Sequence, residues 1–305
     1  MDIAVIGSNM VDLISYLNRM PAEGETVEAA EFQMGCGGKG ANQAVAAARM
    51  GSSVLMVTRV GDDVFAQTTR ANFEANGIDT TYVLSSPGPS GVAPIFVDEN
   101  SRNSIVIAKG ANAFLTPEDI ENAGTAIAAC SLIVLQLEVN LETVYAAIDF
   151  GNRHGIPVLL NPAPASADLD FAQVAKCDYF VPNETELALL TGMPVDTDDQ
   201  VRAAAGTILA KGVPNVIVTM GSRGVLWLSQ DGAELIQGHK VAALDTTGAG
   251  DSFIGCFSHA LVKTGDVRGS LLLANRYAAV SVTRRGTQTS YPTRAEFEAA
   301  PAGRS

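Results

Sequence analysis

Basic residues and long apolar runs are both scarce in this chain of 305 residues. Lysine and arginine number 20 against 33 aspartates and glutamates, which gives a formal net charge of −13. We therefore expect no nucleic-acid or membrane partner that binds through a broad basic surface, although a local anion site stays open. No stretch reaches the roughly 18 apolar residues that a membrane-spanning helix needs.

Cysteine and histidine are also few, at four and three residues, and neither type forms a recognisable site pattern. The cysteines form no CxxC pair, so zinc and redox motifs are not expected. The histidines form no HExxH motif, and no GxSxG elbow occurs, which argues against a Ser-His-Asp hydrolase. Isolated cysteines fit reduced thiols, and the N-terminus lacks the basic segment of a signal peptide, so we expect a cytoplasmic protein.

Hydrophobic residues, in contrast, make up 47% of the chain and fall into short runs that alternate with helical patterns. The apolar runs predict strands at Ile3–Gly7, Val54–Val60, Leu132–Leu137, Val158–Leu160 and Val216–Met220. Helical periodicity predicts helices at Ala41–Met50, Val64–Asn76, Pro117–Ala129, Leu141–His154, Thr185–Leu190, Gly248–Leu261 and Leu271–Val282. This alternation predicts an α/β fold, with a mainly parallel central sheet and helices on both faces.

Residues 11–35 and 91–109 interrupt this alternation, because they lack helical periodicity. Within the second stretch, Val92–Val97 and Ser104–Ile107 are predicted to form a hairpin. We interpret both stretches as strands inserted into a single α/β domain that spans residues 1–305, where they form a small β lid. An edge extension of the main sheet is the alternative.

The segment Asp245–Ser252, with the sequence DTTGAGDS, is the most informative motif and precedes an apolar helix. Its glycines let backbone N–H groups approach a ligand, and a helix N-terminus attracts anions. Together these features suit a phosphoryl group, and Asp251 in the first helical turn could accept a proton from a substrate hydroxyl. The alternative is a glycine-rich turn in which Asp251 only caps the helix.

A second glycine-rich segment opens the first predicted helix. Gly35, Gly37 and Gly40 match GxGxxG, but the motif follows the lid stretch and not the first strand, so we reject a dinucleotide site. The spacing of a Walker loop is absent too. We predict a contact surface for a small hydroxylated ligand, with Lys39 and Asn42 as donors; a plain connection with a solvated lysine is the alternative.

Two further segments follow predicted strands. Asn183 and Glu186 lie three residues apart after an apolar run and could hold a hydrated Mg²⁺ and phosphate oxygens. Taken alone, an acidic helix start would be the commoner explanation of this pair. The segment Thr219–Gly224 could hold nucleotide phosphates through its hydroxyls, glycines and arginine, or it could be a tight turn between two strands.

Taken together, these motifs resemble the ribokinase family of carbohydrate kinases, and the resemblance extends from Ile3 to Pro292. The segments that carry it are Gly37–Ala44, Asn161–Pro164, Pro182–Glu186, Asp245–Asp251 and Gly286–Gln288. The resemblance implies a ribokinase-like three-layer sandwich with a small β-sheet lid that often forms a dimer clasp. It also implies transfer of the ATP γ-phosphoryl group to the primary hydroxyl of a sugar, with Mg²⁺ and a monovalent K⁺ as cofactors and a homodimer as the assembly.

The resemblance assigns roles to residues of this sequence. Asp251 matches the catalytic base, and the anion hole corresponds to Gly248, Ala249 and Gly250. The sugar contacts correspond to Asp12, Gly38, Lys39, Asn42 and Glu138. The nucleotide and metal region corresponds to Asn183, Glu186, Thr219, Gly221, Ser222, Arg223, Gly224, Gly250 and Asn275. The residues that ring the K⁺ ion, largely through backbone oxygens, correspond to Asp245, Thr247, Ser281, Arg284, Gly286 and Ser290.

One departure bears on the choice of sugar. Many members of the family have an asparagine where this chain has Met10, and that amide can bind the 2-hydroxyl of ribose. A thioether is only a weak acceptor, so a 2-hydroxyl facing Met10 would lose ~1–3 kcal/mol of hydrogen bonding. The chain also resembles bacterial family members that act on deoxyribose in Met1–Leu13, Gln136–Val139 and Thr191–Thr197.

We therefore expect 2-deoxy-D-ribose as the substrate, phosphorylated on its 5-hydroxyl, with D-ribose as the alternative. Met10 would then disfavour the 2-hydroxyl; otherwise it only packs under the lid while both sugars are accepted. Another sugar, a nucleoside or a catalytically silent binding role on the same fold stays open as well. The presence of Asp251 and its glycines argues against the silent role.

Overall fold

The computed structural model describes residues 1–99 and 103–300. Strands in this part of the chain, in order, are β1 (Ile3–Ile6), β2 (Met10–Tyr16), β3 (Glu31–Gly37), β4 (Val54–Val60), β5 (Asp79–Ser85), β6 (Val92–Val97), β7 (Asn103–Ile105), β8 (Leu132–Leu135), β9 (Val158–Leu160), β10 (Tyr179–Phe180), β11 (Asn215–Thr219), β12 (Gly224–Ser229) and β13 (Gly232–Gln237). Helices in the same residues are α1 (Lys39–Arg49), α2 (Val64–Ala75), α3 (Pro117–Asn122), α4 (Gly124–Ala128), α5 (Leu141–His154), α6 (Phe171–Val174), α7 (Glu184–Thr191), α8 (Asp198–Leu209), α9 (Ala249–Thr264), α10 (Val267–Ser281) and α11 (Arg294–Ala299).

The main sheet has nine strands in the order β13-β12-β11-β10-β9-β8-β1-β4-β5. The seven strands from β11 to β5 in this order pair in parallel, while β12 and β13 extend the edge in antiparallel pairing. Strand β1 lies between β8 and β4. From β1 the chain continues to β4 and β5 on one side, and from β8 it continues to β9 and β10 on the other side, so the strand order reverses between β1 and β8. The carboxyl ends of strands at such a switch point are where open α/β sheets bind ligands.

Apolar side chains cover both faces of the main sheet, which explains why its inner strands read as continuous apolar runs. In β1, Ala4 and Ile6 pack into one buried cluster, and Ile3 and Val5 pack into the cluster on the opposite face. The first cluster includes residues of α5 and α8, and the second includes residues of α1, α9 and α10. The predicted three-layer α/β class is therefore confirmed.

Helices α1 and α9 approach each other closely, and a glycine makes this approach feasible. A Cβ atom on Gly255 would lie 2.5 Å from both the Cβ of Ala46 and the carbonyl oxygen of Gln43. Because Gly255 is one turn after Asp251, this contact brings the first turn of α1 beside the first turn of α9.

A separate sheet of four strands, in the order β3-β2-β6-β7, forms from the two stretches that interrupt the alternation. Strand β2 pairs antiparallel with β3, from Met10 opposite Gly37 to Tyr16 opposite Glu31. It pairs in parallel with β6, which is antiparallel to β7. The inserted strands are thus distinct from the edge of the main sheet, while the turn of the predicted hairpin at 98–101 lies partly outside the described residues.

Several predicted elements differ in detail from the structure. The predicted helix Pro117–Ala129 is two short helices, α3 and α4, with Gly124 at the break, where glycine weakens helical propensity. Strand β5 and helix α8 were not predicted. Within the described residues, no helix is long and apolar enough to cross a membrane.

Candidate active site

Asp251 lies in the first turn of α9 and is buried. The helix is preceded by Gly248, whose backbone has a φ of 73°, a left-handed conformation that favours glycine. A Cβ atom at this position would lie 2.5 Å from the hydroxyl of Tyr291 and from Cγ2 of Thr287. The glycine turn therefore lies directly against the loop that follows α10. At the helix N-terminus beside it, the N–H of Ala249 donates to the carbonyl oxygen of Thr246 at 3.2 Å, and the next N–H groups are the ones that a helix start leaves without an intrahelical acceptor.

Two amide side chains from α1 hold the carboxylate of Asp251. Nδ2 of Asn42 donates to Oδ2 at 2.9 Å, and Nε2 of Gln43 donates to Oδ1 at 2.9 Å. Both donors are buried. Asp251 is thus fixed by hydrogen bonds from a different helix and is more than a cap of its own helix.

A cavity of about 160 Å³ lies in front of this helix N-terminus. It is lined by residues from four elements, including Lys39, Asn183, Glu186, Thr219 and the segment Gly248–Asp251. The structure therefore brings the predicted anion hole, the base and part of the predicted nucleotide region to one place at the carboxyl ends of the strands.

Glu138 and Asp12 flank the side of the site that faces the small sheet. Oε2 of Glu138 accepts hydrogen bonds from the hydroxyl of Ser8 at 2.5 Å and from the backbone N–H of Lys39 at 2.9 Å. Burial raises the pKa of Glu138 above its ordinary value, against the charge of Lys39 and the hydrogen bond from Ser8. The Glu138 carboxylate therefore lies at the start of α1, where it binds the backbone N–H of the residue that follows the N-cap Gly38.

Asp12, on β2, is a buried carboxyl in a cluster of carboxyls. Burial raises its pKa to about 7, with a further contribution from the charges of Glu138 and Asp251. A hydrogen bond from the Thr287 hydroxyl, at 3.4 Å, opposes this shift. Asp12 is thus a polar group that requires a hydrogen-bonding ligand or a proton near neutral pH.

Lys39 supplies the positive charge in this cluster. Burial alone would lower its pKa, but the carboxylates of Asp251, Glu138 and Glu186 raise the pKa above its ordinary value. The ammonium group is therefore retained at neutral pH between the three carboxylates, in a position to attract phosphate oxygens. The alternative of a solvated lysine in a plain connection is not what the structure shows.

Met10 occupies the site end of β2 and is only 2% exposed. It forms a small apolar cluster with Ala93 and Ile95 of β6. Asp12 and Met10 are two residues apart on one strand, so they share a face of the small sheet. Met10 is therefore an apolar neighbour of the Asp12 carboxyl.

Asn183 and Glu186 form a reciprocal capping box at the start of α7. Oδ1 of Asn183 accepts from the N–H of Glu186 at 2.8 Å, and Oε2 of Glu186 accepts from the N–H of Asn183 at 2.8 Å. The helix-start interpretation is thus correct, and both residues also line the cavity. Burial raises the pKa of Glu186, which is the behaviour of a carboxylate that would gain from a cation.

Five residues of the predicted nucleotide region do not line this cavity, although all lie in the described chain: Gly221, Ser222, Arg223, Gly224 and Asn275. The guanidinium of Arg223 forms ion pairs with Glu184 and with Oδ1 of Asp198, the latter at 2.6 Å. Asn275 donates through Nδ2 to the carbonyl oxygen of Gln237 at 2.7 Å. Arg223 therefore joins α7 and α8 to the end of β11 in the structure.

The predicted K⁺ ring consists of residues from two loops that meet beside the glycine turn. The carboxylate of Asp245 accepts from the backbone N–H groups of Thr247 and Gly286, each at 2.9 Å. Burial would raise the pKa of Asp245, but these hydrogen bonds and the charge of Arg285 lower it, so the group is an anion. Among the described residues, no cluster of three or more histidine, cysteine or acidic side chains could hold a metal, so a cation here would depend on backbone oxygens.

The side chains of Ser281, Ser290 and Arg284 in that ring have partners of their own within the protein. The hydroxyl of Ser281 is 3.1 Å from that of Ser252, and the Ser290 hydroxyl donates to the carbonyl oxygen of Thr287 at 2.7 Å. The guanidinium of Arg284 is 3.5 Å from the Glu296 carboxylate, so its side chain is directed to the surface. Only the backbone of Arg284 is suited to a role at a cation.

Several residues of the site were missing from the sequence-based set. Gln43 is the clearest case, since it follows Asn42 directly and contacts Asp251 just as closely. Asn161, which accepts from Nε2 of Gln43 at 3.2 Å, and Tyr291, which contacts the glycine turn, were also missed. Gln43 and Asn161 lie within the quoted motifs, whereas no local pattern indicates Tyr291.

Comparison with known proteins agrees with this geometry. Residues 1–294 match the pfkB family of carbohydrate kinases, so the chain belongs to that family. The deoxyribokinase of Salmonella typhi is 61% identical over 298 residues, which are 97% of each chain. Among solved structures, the ribokinase of Thermotoga maritima is 35% identical, with a TM-score of 0.89 over 98% of both chains. The ribokinase of Arabidopsis thaliana, solved with ribose and ATP, is 29% identical, with a TM-score of 0.89 over 98% of this chain and 97% of that one.

Proposed function

We propose that this protein transfers the γ-phosphoryl group of ATP to the 5-hydroxyl of 2-deoxy-D-ribose and forms 2-deoxy-D-ribose 5-phosphate. The observation that carries the proposal is the placement of Asp251, fixed by two amides at a helix N-terminus that opens on the cavity. The deoxyribokinase of Salmonella typhi, 61% identical to the chain, supports the same activity.

The chemistry follows from what the residues present to the two substrates. Asp251 accepts the proton of the attacking 5-hydroxyl, whose oxygen bonds to the γ-phosphorus as the bond to ADP breaks. The N–H groups of Gly248, Ala249 and Gly250, together with Lys39, stabilise the charge on the transferred phosphoryl oxygens. Asn183 and Glu186 would hold the waters of a Mg²⁺ ion bound with ATP, and that ion would neutralise phosphate charge.

Met10 supports the choice of sugar. With the sugar against Asp12, an apolar neighbour on the same face of β2 leaves the 2-position without a good hydrogen-bond partner. A 2-deoxy sugar loses nothing in that environment, whereas D-ribose, the alternative substrate, would bury a poorly satisfied hydroxyl. D-Ribose has to be measured beside it, because the similar ribokinase of Arabidopsis thaliana was solved with ribose and ATP.

The deciding measurement is kcat/KM of one enzyme preparation for 2-deoxy-D-ribose and for D-ribose, with ATP and Mg²⁺. We expect the deoxy sugar to be preferred. A preference for ribose would reverse the substrate assignment, and a lack of turnover on either pentose would reject the proposed activity.

We infer that K⁺ binds between the loops that carry Asp245 and Gly286. The anionic Asp245 carboxylate and the adjoining backbone oxygens fit a monovalent cation, which would order the glycine turn without touching the sugar. The test compares KCl with tetramethylammonium chloride at equal ionic strength. K⁺ should raise both kcat and the melting temperature, and equal values in both salts would contradict the inference.

We infer that the small sheet serves as a lid and as the interface of a homodimer. Its site face carries Met10 and Asp12, while Phe32 and Met34 on β3 are 59% and 53% exposed. Exposed apolar side chains of this size on one strand are typical of an interface between protein chains. Light scattering should report a dimer for the wild type and a monomer for Phe32→Glu; a dimer in both would exclude this surface.

A further inference from the structure

Side-chain amides form two chains of hydrogen bonds that both end on Asp251. In the first chain, Nδ2 of Asn72 donates to Oε1 of Gln288 at 2.8 Å, and Nε2 of Gln288 donates to Oδ1 of Asn42 at 2.9 Å. Asn42 then donates to Oδ2 of Asp251 at 2.9 Å. In the second chain, Nε2 of Gln136 donates to Oε1 of Gln43 at 2.7 Å, and Gln43 donates to Oδ1 of Asp251 at 2.9 Å.

The direction of both chains follows from the group at their end. A carboxylate oxygen only accepts hydrogen bonds, so the NH₂ groups of Asn42 and Gln43 must face Asp251. Their carbonyl oxygens then face away and need donors, which Gln288 and Gln136 supply. Each amide is therefore locked in one of its two orientations by its neighbour.

The burial of these amides makes the arrangement energetically demanding. Gln43 is 1% exposed and Gln136 is fully buried, while Asn42 and Gln288 are also buried. Oε1 of Gln136 has no hydrogen-bond partner in the described part of the protein, although its Nε2 is bound to Gln43. A buried acceptor without a partner is unfavourable, so the orphaned oxygen indicates that the orientation of Gln136 is imposed from the Asp251 end of the chain.

The outer amide Gln288 does not contact Asp251, and its own position is well defined. It opens a short 3₁₀ turn, Gln288–Ser290, in the loop after α10. Nη1 of Arg49 donates to its backbone carbonyl oxygen at 2.6 Å and to that of Tyr291 at 2.7 Å. The turn is thus attached to α1, the helix that carries Asn42.

From this arrangement we propose that Gln43 and Gln288 are positioning residues for phosphoryl transfer: they fix the two oxygens of Asp251, Gln43 directly and Gln288 by locking the amide of Asn42. The proposal rests on the proposed function, in which Asp251 accepts the proton of the sugar hydroxyl. Asn42 alone would not suffice, because without Gln288 its buried carbonyl oxygen loses its donor and the side chain loses the contact that holds it in position.

The test uses Gln43→Met and Gln288→Met, which keep an unbranched side chain of similar length but remove the donor. Because a displacement of about 1 Å can lower a rate about 100-fold, we expect kcat to fall roughly 10- to 100-fold in Gln43→Met. In Gln288→Met, where Asn42 remains, the fall should be about 3- to 10-fold. The KM for ATP should stay within about twofold of the wild type in both variants, and the KM for the sugar should do so in Gln43→Met, which leaves Asn42 in place.

Thr143→Val is the matched control, because the buried Thr143 hydroxyl donates to the carbonyl oxygen of Leu115 at 2.6 Å, outside the cavity lining. It removes one buried hydrogen bond and should lower the melting temperature while kcat stays at the wild-type value. If Gln43→Met and Gln288→Met lost stability as the control does but kept kcat, the positioning role would be wrong.

A structural measurement separates this proposal from the proposed function. In crystals of ligand-free Gln43→Met, the Asp251 carboxylate should rotate away from its wild-type position, and in Gln288→Met the Asn42 side chain should shift away from its wild-type position. Unchanged Asp251 and Asn42 side chains would overturn the positioning role even if no pentose were phosphorylated. A wild-type enzyme inactive on both pentoses would instead reject the proposed function alone.

Discussion

The phenol of Tyr291 donates a hydrogen bond to the carbonyl oxygen of Gly248 at 2.9 Å, across 43 positions of the chain. Burial raises the pKa of Tyr291 well above its ordinary value, so the phenol remains a donor at any working pH. The glycine turn that presents N–H groups to the phosphoryl site is therefore supported from behind by a residue of the last loop.

Removing this hydroxyl should disturb the glycine turn. We expect Tyr291→Phe to lower kcat about 3- to 30-fold, because the carbonyl oxygen of Gly248 loses its donor and the anion hole loses rigidity. Tyr277→Phe is the control, since the buried Tyr277 hydroxyl donates to the carbonyl oxygen of Pro292 at 2.7 Å. Steady-state kinetics and thermal unfolding of both variants separate an effect on the anion hole from a general loss of stability. Equal effects of the two variants on kcat would mean that the Tyr291 hydrogen bond only stabilises the fold.

Asp251→Asn should remove the proton acceptor while keeping the shape of the site. We expect kcat to fall about 10²- to 10⁴-fold, the range of general-base contributions, while ATP binding measured by calorimetry is retained. A variant that kept more than a tenth of wild-type turnover would show that another group accepts the proton.

Met10→Asn should change the preference between sugars. An amide facing the 2-hydroxyl recovers ~1–3 kcal/mol, so the ratio of kcat/KM for ribose to that for deoxyribose should rise about 5- to 150-fold. Met10→Leu, which keeps the apolar cluster with Ala93 and Ile95, should leave this ratio near the wild-type value. An unchanged ratio in Met10→Asn would mean that Met10 only packs in the small sheet.

The raised pKa of Asp12 predicts a pH dependence of sugar binding. With a pKa of about 7, the carboxyl is protonated at pH 6 and ionised at pH 8. The ionised form accepts hydroxyl hydrogen bonds, so kcat/KM for the sugar should be about tenfold lower at pH 6 than at pH 8. Asp12→Asn should show low activity without this step, and a wild-type profile that is flat between these values would contradict the assignment.

The same group should make the wild-type protein less stable as the pH rises. The pKa of Asp12 moves from its usual 3.8 to about 7 on folding, so between these values the folded state binds the proton more tightly than the unfolded chain. Its contribution to the free energy of unfolding therefore decreases from pH 4 to pH 7 and stays low above. Asp12→Asn should be more stable than the wild type at pH 8, by roughly 2–4 kcal/mol, and should show little gain at pH 4. Denaturant unfolding at the two pH values tests this sign.

The sequence predicts most strands of the main sheet, though not β5, as well as the inserted strands and the position of Asp251, because these depend on local periodicity and on glycine at helix starts. Helix α8 carries a local signal in the sequence, since Thr197 and Gln200 form a capping box at its start. The partners of Asp251 on α1 had no such signal. They depend on the close contact of α1 and α9 at Gly255, which is a tertiary relationship between residues about 200 positions apart.

Arg223 is a residue whose partners in the structure could not be predicted from the local sequence motif. A glycine-flanked arginine after a strand suggests a phosphate ligand, but the charges that decide its position come from elsewhere in the chain. Glu184 and Asp198, at the starts of α7 and α8, both pair with its guanidinium. A local motif cannot indicate which distant carboxylates will compete for a cation.

The pairing of β2 with β3 determines where the protein chain can gain or lose residues without disturbing the site. Met10 lies opposite Gly37 at the site end, and Tyr16 lies opposite Glu31 at the far end, so residues 17–30 connect the strands away from the site. Insertions in that connection, including a peptide tag or a small domain, leave the site end unaltered. Deletion of a single residue inside either strand instead exchanges the two faces of that strand, and a deletion in β2 next to Met10 would move Asp12 to the opposite side of the sheet. Length variation among related chains should therefore concentrate in 17–30 and be absent from the strands themselves.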